Sequence, residues 1–140
     1  MYFFAHDYHF PLIIKNQIMA ETKKTLVIGA SENPARYSYM AVQKLKDFGY
    51  PVIALGRELG KIGDTHFITE FPTNQHIDTV TLYINPALQK QYMKDILLLH
   101  PKRLIFNPGT ENEELYAIAK ANGIESLEAC TLVLLNTGQY

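Results

Sequence analysis

Apolar residues along this chain fall into short branched runs separated by longer amphipathic stretches, and the two alternate. Thr25-Leu26-Val27-Ile28 is a branched run that stops at Gly29, which predicts a buried parallel strand. Asn33 followed by Pro34 predicts a helix cap and a first-turn proline. Tyr37, Ala41, Leu45 and Phe48 then fall on one helical face, and Gly49 closes the element. Val52-Ile53-Ala54-Leu55 predicts a second strand ending at Gly56. A loop with Gly60, Gly63 and Asp64 follows, then a weak strand over 66–68. Residues 79–84 predict the next strand, and Asn85-Pro86 opens a helix with Leu88, Tyr92, Ile96 and Leu99 on one face. Residues 103–106 predict another strand, closed by Asn107-Pro108-Gly109. Thr110 and Glu113 read as a capping box, with Leu115, Ile118 and Ala119 as the buried stripe of the helix behind it. Gly123 ends that helix, and a last strand begins near Glu125.

Strands alternating with helices of this length predict an α/β fold: a Rossmann-like, doubly wound, mainly parallel sheet with helices on both faces. Such sheets bind ligands beyond the carboxyl ends of their strands, where the strand order reverses. The loops to search are therefore residues 29–38, 56–63, 84–86 and 107–111.

The chain has 140 residues, which suits one domain able to bury about two-thirds of its unfolded surface. Its 47% hydrophobic and 19% charged residues exclude a disordered tail. Lys+Arg is 13 and Asp+Glu 14, a net charge of -1 that argues against a general nucleic-acid binder. With one cysteine, Cys130, no disulfide framework exists, and the cytoplasm is the expected compartment. No apolar run approaches the roughly 20 residues that cross a bilayer, so no membrane partner is expected. Residues 1–18, MYFFAHDYHFPLIIKNQI, differ from the rest: they are aromatic and interrupted by His6, Asp7 and His9. Met19 then opens an ordinary polar start, MAETKK. The expectation is an N-terminal extension over 1–18, outside a single domain of residues 19–140; the competing reading is a short packing arm. The spacing of His6 and His9 could suit a metal, but no third ligand lies nearby, and no metal site is expected.

The first loop reads Gly29-Ala30-Ser31-Glu32-Asn33-Pro34-Ala35-Arg36-Tyr37-Ser38. Gly29 permits a tight turn, and Ala30 and Ser31 are small enough for a backbone to approach a phosphate. Ser31 and Ser38 offer hydroxyls, Arg36 a positive charge, and the helix behind them free N–H groups. The full dinucleotide glycine fingerprint is absent, and a purely structural turn would also use a glycine here. A classical NAD site would carry an acid at the end of the second strand. This chain has Gly56 and Arg57 there, which suit a phosphorylated ribose, as in NADP or coenzyme A. Cys130 has no histidine partner in sequence, and no paired acid and base stand out, so no catalytic constellation is expected.

At these residues the sequence resembles the CoA-binding domain family, stand-alone relatives of the nucleotide-binding domain of the succinyl-CoA synthetase alpha subunit. The resemblance covers about residues 24–135. It is carried by VIGASENPARYSYMAVQKLKDFGYPVIAL, GKIGDTHFITEFP, IDTVTLYINP, NPGTENEELYAIAKANGI and EACTLVL. It implies coenzyme A or an acyl-CoA as the bound ligand. By motif position, Gly29, Ala30, Ser31, Arg36 and Ser38, with Asn33 in the same turn, would meet the phosphates. Gly56 and Arg57 would lie by the adenosine end and its 3′-phosphate. Ile84, Asn85 and Pro86 would flank the pantetheine, with Asn107, Pro108 and Gly109 further along. Close relatives often carry Phe-Arg where this chain has Tyr83-Ile84, and many carry glutamine-leucine-glycine where it has Asn107-Pro108-Gly109. The synthetase's domain with the phosphorylated histidine has no counterpart in the 140 residues, so synthetase activity does not carry over. The expected function is a small CoA-binding protein without catalysis. The alternatives are an NADP-binding oxidoreductase or redox-sensing module, and an interaction domain that has lost its ligand.

Overall fold

Branched apolar runs form the centre of a seven-stranded sheet. The computed structural model describes residues 23–140, and the expected extension over 1–18, with His6 and His9, lies outside them. The strands are β1 (Thr25–Ala30), β2 (Val52–Gly56), β3 (Lys61–Ile62), β4 (Thr65–Ile68), β5 (Thr79–Leu82), β6 (Arg103–Phe106) and β7 (Glu125–Glu128). The helices are α1 (Tyr37–Asp47), α2 (Pro86–Gln89), α3 (Met93–Leu99), α4 (Glu113–Ala121) and α5 (Thr131–Asn136), with a 3-10 turn at Lys90–Tyr92.

The order across the sheet is β3-β4-β2-β1-β5-β6-β7. All neighbours are parallel except β3, which pairs antiparallel with β4 at one edge. The chain builds outward from β1 through β2 to β4, then crosses back to place β5 against the other side of β1. The order therefore reverses between β1 and β5, and the crevice of a doubly wound sheet opens above that pair. The fold is the Rossmann-like α/β architecture that the strand–helix alternation predicts.

Period-two alternation divides the core into two layers. Leu26, Ile28, Val80, Leu82, Leu104 and Phe106 face one side, where Ile96 of α3 and Leu115 and Ala119 of α4 cover them. Val27, Ala54 and Ile105 face the other, under Val42 and Leu45 of α1 and Leu135 of α5. Burying a side chain of this kind contributes about 1.5–3 kcal/mol, so these interleaved layers hold the strand ends in register. The far end of the sheet is tied separately. The Tyr140 hydroxyl shares a 2.6 Å hydrogen bond with Thr25 Oγ1, and the Arg103 guanidinium lies 4.2 Å from the Tyr140 ring. Burial raises the Tyr140 pKa and, with the nearby Arg103 charge, lowers that of Lys23.

Several local expectations are corrected. Asn33 does not cap a helix. Its Oδ1 accepts Ala35 N–H at 3.0 Å to close a turn, and α1 starts three residues after Pro34. The buried face of α1 is Ser38, Ala41, Val42 and Leu45, leaving Tyr37 and Phe48 exposed. The weak strand is β4, and it pairs in a hairpin with β3 at the sheet edge; no helix intervenes in the chain between β2 and β4. The single helix expected after Asn85 is two short helices joined by the 3-10 turn. Asn112, not Thr110, caps α4: its Oδ1 accepts Leu115 N–H at 3.2 Å, while Thr110 Oγ1 donates to Asn107 O at 2.7 Å. The sequence pattern predicts no helix after Cys130, where α5 lies: its short apolar run, Leu132 to Leu135, carries too little periodicity to separate helix from strand.

Candidate functional site

The site begins where β1 ends. The β1–β2 register shifts between Ile28 and Ala30, and Gly29 takes φ +100° at that break. A Cβ on Gly29 would sit 2.9 Å from both Tyr83 O and Ile84 Cγ2, so the neighbouring chain fits only against a bare backbone. Behind the turn, Arg36 is the N-cap of α1, and no side chain caps that end. The first-turn amides of a helix lack intrahelical partners, so this end offers N–H donors and the positive end of the dipole.

Two clefts meet above this turn. The larger, about 700 Å³, is lined by the turn after β1, by Arg57, Glu58 and Leu59 after β2, by Tyr83, Ile84 and Asn85 after β5, and by Pro108, Gly109 and Thr110 after β6. The smaller, about 430 Å³, is mostly apolar, with Leu55, Gly56, Leu88 and Tyr92 in its wall and Thr69 and Gln91 as polar groups. Gly29, Arg57 and Ile84 line both, forming a saddle over which a long ligand could run from one to the other.

Eleven of the fourteen residues singled out from sequence line the larger cleft: Gly29, Ala30, Ser31, Asn33, Arg36, Ser38, Arg57, Ile84, Asn85, Pro108 and Gly109. Gly56 lines the smaller one. Pro86 and Asn107 line neither cleft. Asn107 is 2% exposed and wholly engaged inside. Its Nδ2 donates to Thr81 Oγ1 (2.6 Å) and Leu82 O (2.9 Å), and its Oδ1 accepts Thr131 N–H (2.8 Å). It is a brace between β5, β6 and the start of α5. Asn85 lines the cleft while capping α2, its Oδ1 accepting Leu88 N–H at 3.0 Å.

Sequence reasoning missed other residues of the site. Gln89 is fully buried. Its Nε2 donates to Ile84 O (2.9 Å) and Thr110 O (2.7 Å), so one side chain fastens the loops after β5 and β6 together. Tyr83 lines the cleft, and its hydroxyl is enclosed beside Thr131 and Thr81 with no hydrogen bond of ordinary geometry. Burial pushes its pKa above the ordinary tyrosine value. Tyr37 and Leu59, 69% and 78% exposed, stand on the rim as apolar surface open to a ligand. Arg36 and Arg57 share the lining with Glu32 and Glu58, so charge is mixed rather than uniformly basic. Among the described residues no group of three or more His, Cys, Asp or Glu is placed to hold a metal. No described helix is long and apolar enough to cross a membrane.

The chain is similar to several solved structures. One, described only as an uncharacterized protein, is 49% identical, with a TM-score of 0.82 over 84% of this chain and 98% of its own. A conserved hypothetical protein from Pyrococcus furiosus is 27% identical, with a TM-score of 0.68 over 79% of this chain and 97% of its own. A dinucleotide-forming acetyl-coenzyme A synthetase from Ca. Korarchaeum cryptofilum, solved with phosphate and ADP, shares the fold at 15% identity and a TM-score of 0.64. The match covers 81% of this chain but 27% of the synthetase. The profile of the CoA binding domain family matches residues 23–136, which contain every strand of the sheet and all of the loops that build the two clefts. The chain therefore belongs to the CoA-binding domain family.

Proposed function

We propose that the protein binds coenzyme A or an acyl-CoA across the two clefts and catalyses no reaction on it, acting as a cytoplasmic binding protein. The observation that carries this reading is the meeting, at the point of strand reversal, of a bare-backbone turn, an uncapped helix start and two arginines. Those are the features a pyrophosphate needs: close approach, N–H donors and compensating charge. The diphosphate would lie on Gly29 to Ser31 beside Arg36, with the 3′-phosphate at Arg57 and the pantetheine passing Ile84 and Asn85 toward Pro108 and Gly109.

Calorimetry with coenzyme A and dephospho-coenzyme A tests the assignment. A charge-assisted contact is worth about 1.5–3 kcal/mol, so coenzyme A should bind roughly tenfold or more tightly than the dephospho form. Arg57→Ala should lose that difference and leave the affinity for dephospho-coenzyme A unchanged. Equal affinities in the wild type would remove the stated role of Arg57. Tighter binding of NADP than of coenzyme A would favour the oxidoreductase reading instead.

A further inference from the structure

We propose that Glu32 is a positioning residue: it latches the turn after β1 onto the loop of residues 57–60 and thereby holds Arg57 over the cleft. This rests on the coenzyme A reading above. The Glu32 carboxylate reaches across 29 positions of sequence to accept the Lys61 backbone N–H at 3.0 Å. It lies directly on Gly60, where a Cβ would come within 2.8 Å of Glu32 Cδ and 2.9 Å of Cγ. Gly60 is held from the other side as well, because its carbonyl accepts Phe67 N–H at 2.8 Å. The loop end is thus clamped between the turn and β4.

The loop needs such a clamp. It leads into β3, which has two residues and pairs only with β4, through Lys61↔His66 and Ile62↔Thr65. A two-residue edge strand in a short hairpin has little independent stability. Arg57, Glu58 and Leu59 are all exposed and stand between β2 and this clamp. The position of the Arg57 backbone is therefore set by β2 on one side and by Glu32 through Gly60 and Lys61 on the other.

An acid in the wall of a site for a polyanion invites the opposite expectation. If Glu32 acted by charge alone, removing it would relieve repulsion and tighten binding of every phosphate-bearing ligand. The latch predicts weaker binding on truncation, and weaker in a particular way. Glu32→Gln keeps an oxygen acceptor for Lys61 N–H and fills the same space, while Glu32→Ala removes both. The two variants and the wild type are titrated with coenzyme A and with dephospho-coenzyme A, after circular dichroism and thermal melts show that each is folded.

Glu32→Ala should weaken coenzyme A binding about threefold to tenfold, the range for one hydrogen bond. The preference over dephospho-coenzyme A should shrink by the same factor, because the loss is routed through Arg57. Glu32→Gln should keep the wild-type preference. A general loosening of the fold would weaken both ligands alike and would not move this ratio. An undiminished preference in Glu32→Ala overturns the latch, as does tighter binding of both ligands or a Glu32→Gln variant that behaves like Glu32→Ala. A wild-type protein that binds the two ligands equally overturns the coenzyme A reading of Arg57 and the latch with it. Discrimination in the wild type that persists in Glu32→Ala overturns the latch alone.

Discussion

Gly29→Val is expected to lose the ligand and much of the fold's stability together. The added side chain would begin 2.9 Å from Tyr83 O and from Ile84 Cγ2. Ile84 could turn aside, but the Tyr83 carbonyl is main chain. Tyr83 N–H donates to Ile28 O at 2.9 Å, so moving this segment unpicks the end of the β1–β5 ladder. The residue would also keep φ near +100°, a conformation that a branched side chain adopts at a cost of about 1–3 kcal/mol. Strain and clash together should exceed about 3 kcal/mol, which lowers the melting temperature by roughly 10 °C for a domain this size. The remaining folded protein should bind coenzyme A at least tenfold more weakly, because the diphosphate must approach the backbone where the valine projects. Thermal melts followed by titration below the transition measure both. A variant that melts within about 2 °C of the wild type and binds normally would show that the ligand does not lie against this turn.

Asn107→Ala should be the second large effect, and it separates a brace from a ligand contact. Truncation strips the acceptor from Thr131 N–H and the amide donor from Leu82 O and Thr81 Oγ1. Thr81 keeps its 2.8 Å bond to Thr131 Oγ1, but the other two groups lose that partner in a buried setting. Each orphaned group costs about 1–3 kcal/mol, so a total near 3 kcal/mol or more is expected, before the small cavity is counted. Chemical denaturation should show the midpoint falling with the slope preserved. Affinity for coenzyme A in the folded protein should change less than threefold, since Asn107 lines neither cleft. An unchanged midpoint with lost affinity would make Asn107 a direct ligand contact, the role implied by the family resemblance.

The sheet was legible because its central strands are unbroken branched runs. Leu26–Ile28, Val80–Leu82 and Leu104–Phe106 need burial on both faces, and only a covered parallel sheet supplies it. The crevice followed from that topology, and with it the turn at Gly29 and the arginine at 57. What was not legible depends on contacts between distant residues. Nothing near Glu32 in sequence announces Lys61, and nothing near Gln89 announces Thr110. The strand β3 is two residues long and has no period to detect. Asn107 stands in a loop beside Pro108 and Gly109, where asparagine ordinarily closes a turn or meets a ligand. Its inward direction is decided by Thr131, 24 residues later. The sequence pattern puts Tyr37 and Phe48 on the buried face of α1 because both are large and apolar, yet the structure leaves both exposed, with Tyr37 on the rim of the cleft.

The most direct test of coenzyme A binding is native mass spectrometry of the protein purified without added nucleotide, then again after incubation with equimolar coenzyme A and NADP. Coenzyme A binding predicts a mass increment of one coenzyme A or acyl-CoA per chain in the competition, and no such increment in Gly29→Val. An increment of NADP in preference to coenzyme A, or no bound nucleotide from the mixture, would contradict it.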